Sequence, residues 1–182
     1  INKLKRTATR QEAEVAQARE VTLLAKEAMQ HRKEINKLKR AATRQEINKL
    51  KFKTYSGYFV SNKFEPDASS SFVALDNRKQ FDQVFGVAFV IGDKSPRLAP
   101  GALETELVLA AIRRGKAFCT YKVSSVTEEE GVVRLRYQTT SKKSDSASFA
   151  CPLIISIPKG KYQAVEFYEN DKLVRRLAIG TK

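Results

Sequence analysis

The chain has 182 residues, with 34 Lys and Arg against 20 Asp and Glu, which gives a formal net charge of +14. This length allows one domain, or a smaller domain with an appended segment. No run of about 18 apolar residues occurs, which excludes a membrane-spanning helix, and a single His with two Cys excludes a zinc finger.

Residues 1–51 differ in composition from the rest of the chain. They contain no Gly, Pro, Phe, Tyr or Trp. Residues 1–53 carry 15 basic and 6 acidic side chains, net +9, whereas residues 54–182 carry 19 and 14, net +5. Ala, Lys, Arg, Glu, Gln and Leu dominate the first segment and favour helix. We therefore predict a basic helical arm over 1–51, as a coiled coil or a docking helix, and a β domain over 52–182.

A heptad pattern in the arm offers a helix seam, although His31 and two Ala weaken it. The predicted seam residues are Val21, Leu24, Ala28, Ile35, Leu38 and Ala42. The alternative is a basic amphipathic helix that packs on another surface.

The arm also contains a repeat. INKLKRTATRQE at 1–12 recurs as INKLKRAATRQE at 35–46, and INKLK starts again at 47–51. The last two copies are 12 residues apart, which rotates them by about 120° around a helix, so they do not share one face. A natural duplication, an engineered stretch or a sequence stitched from several pieces would each explain the repeat.

After the arm, the hydrophobic period changes to that of β-strands bounded by turn residues. Residues 77–85 predict a short helix with Phe81 and Phe85 on one face. ETELVLAAIRRG fits a helix or a strand, and we favour a strand because another strand begins directly after Gly115. The predicted strands are SSFVAL (about 71–76), GVAFVIG (86–92), ETELVLAAIRRG (104–115), KAFCTYKVSSV (116–126), GVVRLRYQTT (131–140), SFACPLIISI (148–157), YQAVEFYE (162–169) and KLVRRLAI (172–179).

Alternation assigns faces to these strands. Val133, Leu135 and Tyr137 lie on one face, with Arg134 and Arg136 on the other. One apolar and one polar face is typical of an antiparallel sheet. The predicted fold class is α+β: a long N-terminal helical arm, then an antiparallel β-sandwich or partly open barrel with one short helix.

The order of these strands resembles exported bacterial β-rich domains of unassigned function. More distantly, it resembles the small β domain of accessory subunits in protease complexes, through a PL-x5-K strand followed by V-x-F. The matching residues are Pro152, Leu153, Lys159, Val165 and Phe167. The Gly-Gly-Tyr turn of that family is missing, and Arg113, Arg114, Gly115 and Lys116 stand there instead. The resemblance covers about 70–178 and implies an exported or extracellular, non-catalytic interaction domain.

The two cysteines, Cys119 and Cys151, fall on apolar faces of two predicted strands. A disulfide would fit an exported protein, and two buried inert thiols are the alternative. The chain begins with Ile1 and without a signal peptide, so we expect a mature, trimmed or partial product.

Basic residues form several groups that would suit a polyanion, either nucleic acid or an acidic cell-surface polymer. The alternative is a solvated basic surface, since most aromatic residues fall at core positions and few are left for base stacking. The predicted polyanion contacts are Lys37, Lys39, Arg40, Arg113, Arg114 and Lys116.

We predict no catalytic, metal or cofactor site and no small-molecule substrate. His31 lies in the arm, which leaves the β domain without the His of a Ser–His–Asp triad, and no nucleophile elbow or phosphate loop occurs. The preferred function is a non-catalytic structural or assembly protein, with an arm that oligomerises or docks on a partner protein and a β domain that presents an interaction surface. The alternatives are polyanion or nucleic-acid binding through the arm, and an accessory or inhibitory module of an exported protease.

Overall fold

The structure, a computed structural model, describes residues 25–27, 29–35, 48–88 and 94–180. The chain divides into two compact units, Ile1–Glu46 and Ile47–Lys182. β-strands account for 54% of the described residues. In the first unit, the described residues belong to helix α1, at 25–35.

The prediction of a long N-terminal helical arm is wrong. Helix α1 has 11 residues and is the longest helix among the described residues. Asn48–Lys49, the second and third residues of the third repeat copy, form a β-strand, because helix propensity is a weak preference that pairing with a sheet overrides. A helix with few strong aliphatic residues also lacks the tertiary packing that supplies most helical stability.

The coiled coil is not supported either. Ile35, the one described seam residue, is 48% exposed, and Met29 of the same helix is 64% exposed. The other predicted seam residues lie outside the described residues: Val21, Leu24, Ala28, Leu38 and Ala42.

The second unit contains eleven strands and two helices in its described ranges. The strands are β1 (Asn48–Lys49), β2 (Lys53–Tyr55), β3 (Tyr58–Val60), β4 (Ser70–Leu75), β5 (Phe85–Val87), β6 (Glu106–Gly115), β7 (Ala117–Glu129), β8 (Val132–Lys143), β9 (Phe149–Pro158), β10 (Ala164–Glu169) and β11 (Lys172–Ala178). The helices are α2 (Arg78–Val84) and α3 (Ala102–Thr105).

These strands confirm the predicted strand positions after residue 70. Of the predicted GVAFVIG strand, Gly86 and Val87 belong to β5, Ala88 lies beyond its end, and residues 89–93 lie outside the described residues. The first residues of ETELVLAAIRRG belong to helix α3, and the rest form β6.

Helix α2 confirms the predicted short helix. Its N-cap Asn77 accepts a hydrogen bond from the backbone N–H of Gln80 at 2.9 Å, and Phe81 packs against Phe85 with ring centres 5.2 Å apart.

The strands form a five-stranded sheet in the order β1-β7-β8-β10-β11, a four-stranded sheet in the order β2-β9-β6-β4, and the pair β3-β5. The prediction of a fully antiparallel domain is wrong at one place, because β8 and β10 pair in parallel. The strand between them in sequence, β9, belongs to the other sheet. The chain therefore crosses to the four-stranded sheet and returns in the direction of β8.

The four-stranded sheet is buried on both faces. Leu109 and Ile155 on one face belong to a core shared with Val133 and other apolar residues of the five-stranded sheet. Val108 on the opposite face belongs to a second core with Phe81 of α2. Burial on both faces explains why β6 reads as a continuous apolar run without alternation.

The five-stranded sheet has one apolar face, as its alternation predicts. Val133 and Leu135 are fully buried, and Tyr137 is 2% exposed. Arg134 and Arg136 lie on the opposite face of β8, where they form ion pairs with acidic residues.

Candidate functional site

A tight connection between the two sheets gathers basic residues at one end of the second unit. The chain leaves the four-stranded sheet at Gly115 and enters the five-stranded sheet at Ala117. Gly115 has φ +146°, a region that favours glycine. It pairs with Phe149, and Ala117 pairs with Lys143. The end of β8 and the start of β9 therefore meet the β6–β7 connection.

A cavity of about 470 Å³ opens at this place. Four of its described lining residues are basic, and one, Asp145, is acidic. The lining also includes Cys119, Ser144 and the connection residues Gly115 and Ala117. Its basic residues are Arg113, Arg114, Lys116 and Lys143. We call these four residues the basic cluster.

The charges of the basic cluster are only partly neutralised. Arg113 pairs with Glu169 at 3.1 Å. Lys116 and Lys143 pair with no carboxylate within the ranges that the structure describes. Like charges that converge on a concave surface raise the local positive potential and attract anions.

Arg114 is held in place without losing its charge. Its guanidinium donates to the Ser71 hydroxyl at 2.7 Å and to the backbone carbonyls of Phe64 at 2.8 Å and Ala68 at 3.3 Å. All three acceptors are neutral, so the positive charge of Arg114 persists. The hydrogen bonds hold that charge against residues 64–71, on the face of β6 opposite to the Arg113 side chain.

Arg114 and Gly115 also line a second cavity of about 580 Å³. Its other walls include Asn62, Asp67 and the ring of Phe149.

An exposed aromatic residue stands beside the basic cluster. Phe118 is 51% exposed, and its ring packs edge-to-face on Phe149 with ring centres 5.6 Å apart. Its cross-strand partner is Lys142. Sequence reasoning assigned most aromatic residues to the core and missed this one. The alternation of β7 indicates the position of Phe118: because Cys119 and Tyr121 face inward, Phe118 faces outward.

The structure brings together three of the six predicted polyanion contacts, Arg113, Arg114 and Lys116, and adds Lys143. The three contacts predicted in the arm, Lys37, Lys39 and Arg40, lie outside the described residues. His31 is an exposed residue of helix α1.

The two cysteines are close to each other, one in each sheet. Both are buried free thiols, and the Cys119 backbone N–H donates to Cys151 Sγ at 3.1 Å. The carbonyl oxygen of Ala117 lies 3.7 Å from Cys119 Sγ and 3.9 Å from Cys151 Sγ. Burial is the main cause that raises the pKa of the Cys151 thiol. The disulfide stays a prediction.

A second charged region lies on the outer face of the five-stranded sheet. The Glu166 carboxylate accepts from Arg134 at 3.2 Å, Arg176 at 3.1 Å and the Tyr168 hydroxyl at 3.1 Å. Arg134 also pairs with Glu129, whose hydrogen bond is the main cause that raises the pKa of the guanidinium. We call Glu129, Arg134, Glu166 and Arg176 the paired cluster, since each charge in it has an opposite partner.

No group of His, Cys, Asp and Glu in the described residues is arranged to hold a metal ion. Among the helices that the structure describes, none has the length and apolar character needed to cross a membrane. Compared with protein-family models, curated proteins and solved structures, the chain gives no significant match.

Proposed function

We propose that the second unit is a non-catalytic binding domain and that its basic cluster binds a polyanion. The observation that supports this is that four basic residues and a single acid, Asp145, line one cavity. Neutral acceptors hold Arg114, and Lys116 and Lys143 have no carboxylate partner in the described part of the chain. A phosphate, sulfate or carboxylate polymer would supply the missing negative charges.

The proposal moves polyanion binding from the arm to the β unit. Assembly through a long helical arm loses its basis, because the described helix has 11 residues. The proposal keeps the predicted interaction surface on the β domain and assigns it to the basic cluster. A role as an accessory or inhibitory module of an exported protease depends on the sequence resemblance alone and stays a prediction.

Reversal of two charges tests the proposal. In the full chain, the double variant Lys116→Glu/Lys143→Glu should bind heparin and single-stranded DNA about 10- to 100-fold more weakly at low salt. The slope of log K against log salt should also become shallower, because fewer counterions are released on binding. Fluorescence anisotropy with labelled ligands over a salt series measures both quantities.

The matched control is Lys51→Glu/Lys161→Glu, which changes the net charge by the same amount. Both lysines are exposed and lie at the opposite end of the unit. Lys51 follows Leu50, which bonds to Val126 near the end of β7, and Lys161 lies just before Gln163, which bonds to Gly131. If the two double variants lost equal affinity, binding would depend on net charge alone, and the assignment to the basic cluster would be wrong.

A further inference from the structure

The exposed ring of Phe118 points to the kind of polyanion. Residues 117 and 118 are held in β7 by pairing with β8, and the edge-to-face contact with Phe149 restricts the ring. The ring is therefore rigid and keeps 51% of its surface exposed. A large apolar side chain that is fixed in water adds nothing to the core and is typical of a binding surface when polar residues surround it.

The residues around Phe118 are basic. Lys142 lies directly opposite on β8, on the same face of the sheet. Lys116 is two residues earlier in the chain, and Lys143 lines the same cavity as Lys116. An aromatic ring among lysines is the arrangement with which proteins bind unpaired nucleotides: the ring stacks on a base while the cations contact phosphates.

We propose that the polyanion is a single-stranded nucleic acid, with one base stacked on Phe118 and neighbouring phosphates on Lys116 and Lys142. This inference depends on the proposed function, since it uses Lys116 of the basic cluster. Sulfated polysaccharides carry no aromatic face, and a duplex hides the faces of its bases in the stack. For either of those ligands, the ring of Phe118 would add little affinity.

Phe118 is connected to the second cavity through Phe149, which lines that cavity and whose ring contacts Phe118. The two cavities share Arg114 and Gly115. Because stacking is tolerant of base identity, we expect weak sequence preference.

The test uses the full chain with Phe118→Ala, its rescue variant Phe118→Tyr and the control Phe52→Ala. Phe52 is also an exposed aromatic residue beside lysines, at 38% exposure. It lies next to Lys53, which pairs with Ser156 near the other end of β9. The probes are a fluorescein-labelled oligo-dT of 12 nucleotides, a duplex of equal length and a heparin oligosaccharide, with thermal unfolding recorded for each variant.

We expect Phe118→Ala to weaken oligo-dT binding about 5- to 100-fold and to leave heparin binding unchanged. Phe118→Tyr should restore oligo-dT binding, and Phe52→Ala should bind as the parent chain does. Equal loss for oligo-dT and heparin, or tighter binding of the duplex than of the single strand, would overturn the inference.

The two proposals fail in different ways. If Lys116→Glu/Lys143→Glu weakens binding but Phe118→Ala does not, the basic cluster binds a polyanion without base stacking, and only the inference is overturned. If the parent chain binds neither oligo-dT nor heparin, both proposals are overturned. In that case Phe118 would remain as an exposed contact for a protein partner.

Discussion

The basic cluster and the paired cluster contain the same kinds of side chains in opposite arrangements. In the paired cluster, Glu166 is 7% exposed and accepts from two arginines and a tyrosine. In the basic cluster, Arg114 bonds only to neutral acceptors, and Lys116 and Lys143 meet no carboxylate in the described residues. The first arrangement satisfies its charges internally and supports the sheet. The second leaves charge for a ligand.

This difference shows that the count of basic residues does not identify a binding surface. Arg134 and Arg114 are each flanked by apolar and basic neighbours in the sequence. What separates them is the strand register, which places Glu166 opposite Arg134. Three variants or conditions test the comparison, in order of decreasing expected effect.

Oxidation of Cys119 and Cys151 should have the largest effect on stability. A disulfide between them would link the two sheets beside the basic cluster and close a loop of about 30 residues, which stabilises by about 2–4 kcal/mol. Two thiols become one disulfide with a loss of two hydrogens to an oxidant such as oxidised glutathione. Intact mass and denaturant unfolding before and after oxidation measure the result. A failure to bond under oxidising conditions would remove one of the two supports for an exported protein and leave only the sequence resemblance.

Removal of the charge of Glu166 should have the second-largest effect. Glu166→Gln leaves Arg134 and Arg176 without this carboxylate, and we expect a loss of about 1–3 kcal/mol. The matched change beside the basic cluster, Asp145→Asn, should alter stability by less than about 0.5 kcal/mol and should strengthen polyanion binding. Urea unfolding of both variants measures the difference. Similar losses in the two variants would show that the clusters do not differ in the way the ion pairs indicate.

Acid should have the smallest effect, through Glu106. Burial raises its pKa, but hydrogen bonds from Lys53 and Ser156 outweigh burial, so the pKa lies below its ordinary value. A depressed carboxyl pKa contributes stability above the unfolded pKa, near 4.3, and that stability is lost as the pH falls through the folded pKa. Between pH 5 and 3, the melting temperature of Glu106→Gln should fall less steeply than that of the parent chain. Parallel curves would contradict this assignment.

The sequence predicted much of the β unit and little of the rest. Alternation identified the buried face of β8 because Val133, Leu135 and Tyr137 repeat with period two and pack on one core. The parallel pairing of β8 with β10 was missed, because nothing local in β8 reveals that β9 joins the other sheet. The prediction of a helical arm was wrong because helix propensity over 1–51 takes no account of strand pairing, such as that of Asn48 with Glu128 in β7.

For the candidate site, the sequence identified Arg113, Arg114 and Lys116 because they are adjacent in one turn. Lys143 was not placed with them because 27 positions separate it from Lys116, and only the β7–β8 register brings it to Ala117. Phe118 was missed because its aromatic character was taken as a core signal. Because its neighbour Cys119 points inward, strand alternation places Phe118 on the outer face.

The crossover through β9 has a consequence for the way the unit unfolds. Because β8 and β10 are joined through a strand of the opposite sheet and the two sheets share one apolar core, melting of the four-stranded sheet would expose that core and weaken the β8–β10 junction. The two sheets should therefore lose structure together in a single cooperative transition. Since this pairing joins residues about 30 positions apart, it also contributes to the non-local contacts that slow folding.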